Sequence, residues 1–285
     1  MRIISGDDGI GAEEHDRGVT ARTDLRADCA RCFAICCVAP AFSRSSDFAI
    51  DKPAGVPCPH LADDHRCAIH DRLRPEGFAG CTAYDCFGAG QRLAQETFGG
   101  RDWRRHPDVA DPMMAALPLL RGLHEILWYV GDVVDLSTSA PIRAGLVAVR
   151  TEVEGAAGAP GAAILEADLD ALRAMSAPLL REASRLARAG LGGADHTGDD
   201  LSGADLRGVD LRGVSFRGAL LIGVRLGNAD LFRTDLLGAD LRGADVRGAR
   251  LSDALFLTQT QLGGVRGDRR TTLPPALQTP PHWAS

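Results

Sequence analysis

Lysine is almost missing from this chain of 285 residues: Lys52 stands alone, and every other long basic side chain is arginine. That bias fits a GC-rich bacterial genome better than a functional demand. Aromatic residues make up only 5% of the chain, so Leu, Val and Ala must fill most of any core. There is no run of 18 apolar residues, which excludes a membrane-spanning helix. The opening MRIISGDDGIGAEEHDRG lacks the basic start and apolar centre of a signal peptide. A net charge of -6 is modest at this length and calls for no strongly charged partner. A cytoplasmic protein with reduced thiols is expected. No nucleophile–base motif is present, so no catalytic residue is assigned. His124 and Glu125 read as the polar edge of a helix. The run from Gly88 to Gln91 has no strand before it and reads as a helix entry rather than a phosphate loop.

Cysteine is absent except in one stretch: all eight lie between Cys29 and Cys86. Residues 1–24, polar and acidic, read as a disordered arm. Residues 25–100 read as a small, loop-rich cysteine domain that cannot build a large core. Residues 101–190 are helical. Met113, Leu117, Leu120, Leu123, Leu127 and Val130 recur at helical spacing, with Pro118 placed to kink the run. A second helix is expected from Ser139, broken by GAAGAPG at 155–161. A third is expected from about Ala163 to Ala189, either as part of a bundle or as a cap on the C-terminal region.

From Leu201 the period becomes five. Large residues recur at Leu201, Leu206, Leu211, Phe216, Leu221, Leu226, Leu231, Leu236, Leu241, Val246, Leu251 and Phe256. A small residue stands two before each from Leu206 on, as at Ala204, Val209 and Val214. Neither a helix nor an ordinary strand has this period, and a fixed repeat outranks local propensity. Two apolar residues spaced two apart can both point inward from a short extended segment. Gly at 203, 208, 213, 218, 223, 238, 243 and 248, with Asn228 once in that place, supplies the backbone freedom a corner needs. Four segments and four corners close a coil of about twenty residues, stacking Leu201, Leu221 and Leu241.

The pattern A-[DN]-L-x-x over about 194–258 resembles the pentapeptide-repeat family. The resemblance implies a right-handed quadrilateral β-helix of about three coils over 191–258. Its ends need caps. The helix ending near Ala189 is expected over the N-terminal end. Residues 259–285, with Leu262, Leu273, Leu277 and Trp283, are expected as a C-terminal cap or tail. Some family members resemble DNA and bind topoisomerases through an acidic surface. Here eight outward Asp face eight outward Arg between Asp200 and Asp253, which argues against that role and against nucleic-acid binding. Asp205, Arg225 and Asp245 are expected in one outward column. Outward Leu237, Leu255 and Leu257, with Leu220, Ile222 and Phe232, mark either a surface covered by the tail or a contact with a partner protein or a second copy.

The cysteine stretch reads CARCFAICC at 29–37, CPHL at 58–61, CAIHDRLRP at 67–75 and CTAYDC at 81–86. A CxxC pair places two thiolates where they can grip one tetrahedral ion, and this density in a cytosolic protein points to metal. The candidate ligands are Cys29, Cys32, Cys36, Cys37, Cys58, Cys67, Cys81 and Cys86, with His60 and His70 as auxiliary nitrogens. Arg31, Arg66, Arg72 and Arg74 are placed to offset thiolate charge. Residues 28–90 resemble the CxxCxxCC cysteine-rich family described as zinc- or iron-chelating, although three residues rather than two separate Cys32 from Cys36. The resemblance implies zinc or an iron–sulfur cluster, and the spacing does not separate them. A non-enzymatic protein-binding or scaffolding protein with a metal-binding domain is therefore expected. An iron–sulfur redox sensor or metalloenzyme docked through the solenoid is the alternative, and a topoisomerase-binding DNA mimic is disfavoured by charge.

Overall fold

A computed structural model describes residues 22–283, so most of the 1–24 arm lies outside the described residues. The cysteine region is mainly turns, with two short helices, α1 (Ala79–Ala83) and α2 (Ala89–Arg92). A long helix comes next, α3 (Ala110–Val133), then α4 (Arg143–Ala157) and α5 (Leu169–Arg188). The segments expected from Ser139 and Ala163 each open with a 3₁₀ turn, at Ser137–Ile142 and Gly161–Glu166, before their α-helices begin. Pro141 and the glycine-rich break explain these entries, because neither continues a regular helix from the preceding residue. Pro118 lies inside α3 without ending it. The apolar face read from sequence is the buried one: Met113, Leu117, Leu120, Leu123, Leu127 and Val130 all lie in the core. His124, expected at a polar edge, is 2% exposed.

The solenoid is built from turns. In each repeat the small residue's N–H returns to the large residue's carbonyl, as in Ala204 to Leu201 at 3.1 Å and Ala219 to Phe216 at 3.0 Å. The residue between takes positive φ, 71° at Gly203 and 64° at Gly218, which is the third-residue geometry of a type II turn. Each Asp that precedes a large residue closes the turn from outside. Its carboxylate accepts the N–H two residues on, as in Asp200 with Ser202 and Asp240 with Arg242. Alternating Asp and Gly in this sequence therefore encode one corner each.

Parallel bridges join residues twenty apart in four columns: Asp200–Leu220–Asp240, Asp205–Arg225–Asp245, Asp210–Asp230–Arg250 and Ser215–Asp235–Leu255. The expected Asp205–Arg225–Asp245 column is thus present. The extended strands of a β-helix are not: among the described residues each side of the coil is reduced to single-residue bridges. The cause is local, because the turn consumes most of every five residues and leaves only one for pairing. Inside, Leu221, Val224, Leu226 and Leu231 are fully buried, each worth about 1.5–3 kcal/mol of apolar burial.

The two ends differ. At the C-terminal end α6 (Gln259–Gly263) is opened by a capping box between Thr258 and Gln261. Beyond it the chain departs from the repeat yet still extends two columns, through the bridges Asp245–Arg266 and Arg250–Thr272. Trp283 then packs on Gly267, where a Cβ would lie 2.4 Å from the indole, and with Leu262 and Leu277 closes the coil. The N-terminal end is not covered by α5, contrary to expectation. That helix lies along the side of the coils, where Arg217 reaches the Leu180 carbonyl and Arg188 the Gly213 carbonyl. The same side receives α3: Trp128 Nε1 donates to the Leu257 carbonyl at 3.0 Å, and Asp132 accepts from the Phe256 amide at 2.5 Å. Leu255 and Leu257 are buried there, so helices rather than the tail cover this face. Leu220 and Ile222 remain 41% and 37% exposed.

Candidate functional site

The cysteine domain sits between α3 and the closed end of the solenoid. Arg74 donates to the Gly263 carbonyl and Arg26 to the carbonyls of Pro275 and Ala276. With so few strands and helices, the domain is held by internal polar ties. Lys52 is the principal one. The residue is 4% exposed, and its ammonium lies 3.0 Å from Val38 O, 2.5 Å from Pro40 O, 3.0 Å from Pro53 O and 2.8 Å from Val56 O. It also stands 4.8 Å from the centre of the Phe42 ring. The chain's single lysine thus pins the loop that carries Cys37 to the loop that carries Cys58. Sequence reasoning passed over it, although a lone lysine in an arginine-rich chain was the available signal.

All eight cysteines are free, and they fall into two groups. Cys32, Cys36 and Cys86 pack against the main core, whereas Cys37, Cys58, Cys67 and Cys81 belong to a separate small core with Phe42, Ile69, Leu73 and Phe78. Electrostatic neighbours divide the same way except at Cys29 and at the Cys36–Cys37 pair. Cys32 feels Cys86 and Cys29, and Cys36 feels Cys32 and Cys86. Cys81 feels Cys37, Cys58 and Cys67. The exposed Cys29 lies between the groups: it acts on Cys32 and Cys86 and also on Cys67, and the thiol acting on it is Cys37. Gly90 shows how close the packing is: a Cβ there would lie 2.7 Å from Cys32 Sγ and 3.8 Å from Cys86 Sγ. The groups meet at Cys29 and at Cys36 and Cys37, whose thiols hydrogen-bond to each other.

Two sulfurs in each group also receive backbone N–H groups. Amides of Ala34 and Ile35 point at Cys32, those of Gly88 and Gly90 at Cys86, that of His60 at Cys58 and that of Ile69 at Cys67. The run Gly88–Gln91 is a helix entry as expected, and its amides serve a cysteine rather than a phosphate. Such donors favour a thiolate. Burial and the neighbouring thiols oppose it. Burial above all pushes Cys32 and Cys81 up to about 12 and Cys86 to about 11. Cys29, Cys58 and Cys67 are raised chiefly by burial too, and Cys36 is raised most of all by donating to Cys37. Only Cys37 is lowered, by that hydrogen bond from Cys36 and by the Lys52 charge.

The donor set suits a thiophilic cation in type and number but not in arrangement. Its geometry is open: among the described residues no three His, Cys, Asp or Glu side chains converge as a formed metal site. The auxiliary histidines are placed otherwise. His60 stacks edge-on against Phe78 at 5.0 Å, and His70 is exposed. Of the four arginines expected to balance thiolate charge, Arg66 acts on Cys29, while Arg74 is spent on Gly263 and Arg72 pairs with Glu76 at 3.4 Å. His65 is structural, lying between Phe33 and Trp103 and pairing with Asp102 at 3.2 Å.

The solenoid's outer charges are consumed locally. Arg207, Arg242 and Arg247 each fold back onto the Asp two residues before, at 2.7, 2.6 and 2.5 Å. No helix among the described residues is long and apolar enough to cross a membrane.

Comparison with known families finds pentapeptide repeats in the C-terminal part of the chain. The family model for pentapeptide repeats matches in eight copies, over residues 184–223, 200–236 and 219–256. Two solved structures are similar to the repeat region. The pentapeptide repeat protein alr5209 from Nostoc PCC 7120 is 33% identical, covering 31% of this chain and 86% of that one with a TM-score of 0.24. The pentapeptide repeat protein Rfr23 from the cyanobacterium Cyanothece 51142 is 31% identical, covering 30% and 69% with a TM-score of 0.21. The uncharacterized protein YybG of Bacillus subtilis (strain 168) is 47% identical over 268 residues, spanning 91% of this chain and 95% of that protein. The chain accordingly carries pentapeptide repeats and belongs to the same family as YybG of Bacillus subtilis.

Proposed function

We propose that this protein is a non-enzymatic scaffold in which a pentapeptide solenoid presents its outer faces to a protein partner and a cysteine domain at its closed end binds metal. The observation that carries the metal reading is the clustering of three thiols against the main core and four in the small core, with Cys29 beside both and backbone amides aimed at two sulfurs in each cluster. Cys29, Cys32, Cys36 and Cys86 would hold one ion or cluster, and Cys37, Cys58, Cys67 and Cys81 the other. A four-thiolate zinc site has no open position and stabilises its fold without chemistry of its own. The bound cation supplies the positive charge that lets these thiols ionise together. Arg–Asp pairing within four corners leaves no dominant sign on the solenoid, which supports protein contacts over DNA mimicry.

Metal analysis and an absorption spectrum of anaerobically purified full-length protein test this. Two equivalents of zinc and a colourless solution are expected. Cys32→Ser should remove one equivalent and Cys58→Ser the other. A brown protein with labile sulfide would make the iron–sulfur redox reading the better one. Protein that binds no zinc, iron or cobalt would overturn metal binding altogether.

A further inference from the structure

The side of the solenoid turned away from the helices carries the inference. Helices cover the column Ser215–Asp235–Leu255, and the column Asp205–Arg225–Asp245–Arg266 lies half a coil away, on the opposite side. There the repeat departs from its own pattern. The residue after the large one is Arg207 in the first coil and Arg247 in the third, but Gly227 in the second. The corner that follows, glycine at 208 and 248, is Asn228, which takes the positive φ itself at 57°. This exchange removes one side chain from the outer wall between two arginines. A cavity of about 210 Å³ opens at Gly227, lined by Arg207, Arg247, Arg270, Asn228, Asp245 and Asp268.

Balanced as a whole, the solenoid is not balanced on this side. Arg207, Arg225, Arg247, Arg266 and Arg270 stand against Asp205, Asp245 and Asp268, and the exposed Arg269 makes a sixth guanidinium. Asp205 is shared by Arg207 at 2.7 Å and Arg225 at 3.2 Å. Asp245 holds Arg247 and also feels Arg266. In the columns to either side Asp210–Arg212, Asp230–Arg250 and Asp240–Arg242 cancel, which leaves Asp200 over. The donors are also held ready. Arg207, Arg247 and Arg270 each bind their own Asp through Nε and Nη2. That fixes each guanidinium and leaves its Nη1 without a hydrogen-bond partner among the described residues. The side-chain amide of Asn228, exposed at the same notch, has none either.

Arg207 and Arg247 are two coils apart, about 10 Å at ordinary strand spacing. Each guanidinium already has one carboxylate, so a further carboxylate with a single charge adds little. A phosphate group brings three oxygens and nearly two charges, enough to meet several free guanidinium edges at once. We propose that the notch at Gly227 binds a phosphate group, either free in solution or carried on a phosphorylated side chain of a partner protein. Its oxygens accept from the free Nη1 edges of Arg207 and Arg247 and from the Asn228 amide, and Arg270 adds positive charge below.

The test uses full-length protein, with inorganic phosphate followed by calorimetry and a fluorescein-labelled phosphoserine peptide followed by anisotropy, beside the same peptide with Glu in place of phosphoserine. Saturable binding of one phosphate per chain is expected, and the phosphopeptide should bind at least tenfold more tightly than the Glu peptide. Phosphopeptide binding tighter than that of inorganic phosphate would assign the group to a partner protein, and equal binding of the two to a free ligand. Gly227→Arg separates a built site from general attraction. It restores the residue type of Arg207 and Arg247, and a Cβ there meets nothing closer than the Arg247 carbonyl at 3.4 Å, so thermal stability should hold. It fills the notch yet adds positive charge. A phosphate seated in the notch should then bind at least tenfold more weakly, whereas general attraction to an arginine-rich side would grow stronger. Unchanged or tighter binding by Gly227→Arg would overturn the site, as would equal binding of the phosphoserine and Glu peptides, or no binding of phosphate in either form. Each of those results would leave protein docking on the other solenoid faces standing.

Discussion

Ser184 of α5 donates a hydrogen bond of 2.6 Å to Asp235 Oδ2, a carboxylate wholly buried between the helices and the solenoid. Arg217 grips the same oxygen through Nη2 at 2.8 Å and Nε at 3.1 Å, and Asp235 Oδ1 accepts the Leu237 amide at 2.9 Å. At most other corners the equivalent Asp closes its own turn and pairs with an exposed arginine of the solenoid itself. Here the column Ser215–Asp235–Leu255 is the one the helices cover, so the corner Asp also binds the helical layer to the coils.

Asp235→Ala should therefore destabilise the protein by about 3 kcal/mol, because it leaves the Arg217 guanidinium largely buried without its partner. Ser184→Ala should cost about 1 kcal/mol, the loss of one hydrogen bond to a charged group that keeps its other donors. The double variant should lose less than the sum, since both side chains meet at one oxygen. Urea unfolding followed by circular dichroism measures all three. Equal effects of Asp235→Ala and of Asp210→Ala, whose carboxylate is exposed, would show that Asp235 acts as an ordinary corner.

This junction also marks where the sequence stopped being readable. The five-residue period places every inward residue and every corner, because each is specified by turns and bridges internal to the repeat. The Asp205–Arg225–Asp245 column comes from coil length alone. The side on which α5 packs does not, since it depends on Asp235, Ser184 and Arg217, which are 51 and 18 residues apart and periodically unremarkable. Leu255 and Leu257 were legible as misplaced apolar residues, but not the identity of what covers them. In the cysteine domain, spacing points to the ligand candidates. It does not show that Cys36 and Cys37, neighbours in the chain, face different groups.

Arg233 occupies a corner where most other repeats place Gly, and it is held at φ 55°. A side chain in this left-handed region costs roughly 1 kcal/mol relative to glycine. Its guanidinium stands 5.7 Å from the Phe232 ring, a half-buried contact worth about 0.5 kcal/mol. Arg233→Gly should leave the fold intact and raise stability slightly, by about 0.5 kcal/mol. Arg233→Val, β-branched and poorly suited to positive φ, should lower it by more than about 1 kcal/mol. A thermal melt that ranks Val above Gly would contradict the corner geometry.

Lys52→Met removes the one donor shared by four carbonyls on two loops. Leaving buried carbonyls unsatisfied costs about 1–3 kcal/mol each where water cannot reach them, so a net loss on the order of 3 kcal/mol is expected. The loss should be local. Hydrogen exchange should quicken over residues 38–58 while the solenoid stays protected, and Cys58, buried in the native domain, should react faster with a thiol reagent. Lys52→Arg should rescue only in part, because a planar guanidinium cannot converge on four carbonyls as a compact ammonium does. Uniformly faster exchange across the whole chain would mean that Lys52 supports more than this domain.

His124 gives the pH dependence its sign. Its Nδ1 lies 2.6 Å from the Phe87 carbonyl, so that nitrogen carries the proton, while the buried Nε2 has no hydrogen-bond partner. Burial holds the folded-state pKa down at about 4, against 6.5 for the free side chain. Below pH 6.5 the unfolded chain takes up a proton that the folded chain refuses until about pH 4. Stability from this residue is therefore fully present above pH 6.5 and falls as the medium is acidified, by on the order of 3 kcal/mol in all. His124→Gln keeps an N–H for the Phe87 carbonyl and removes the titration. The stability gap between wild type and variant should shrink steadily from about pH 7 to about pH 4 and reverse if the glutamine packs as well as the imidazole. Carboxylates that titrate in both proteins cancel in that difference. A gap that stays constant over this range would mean that His124 is solvated in the folded protein, and that the contact between α3 and Phe87 is looser than its geometry states.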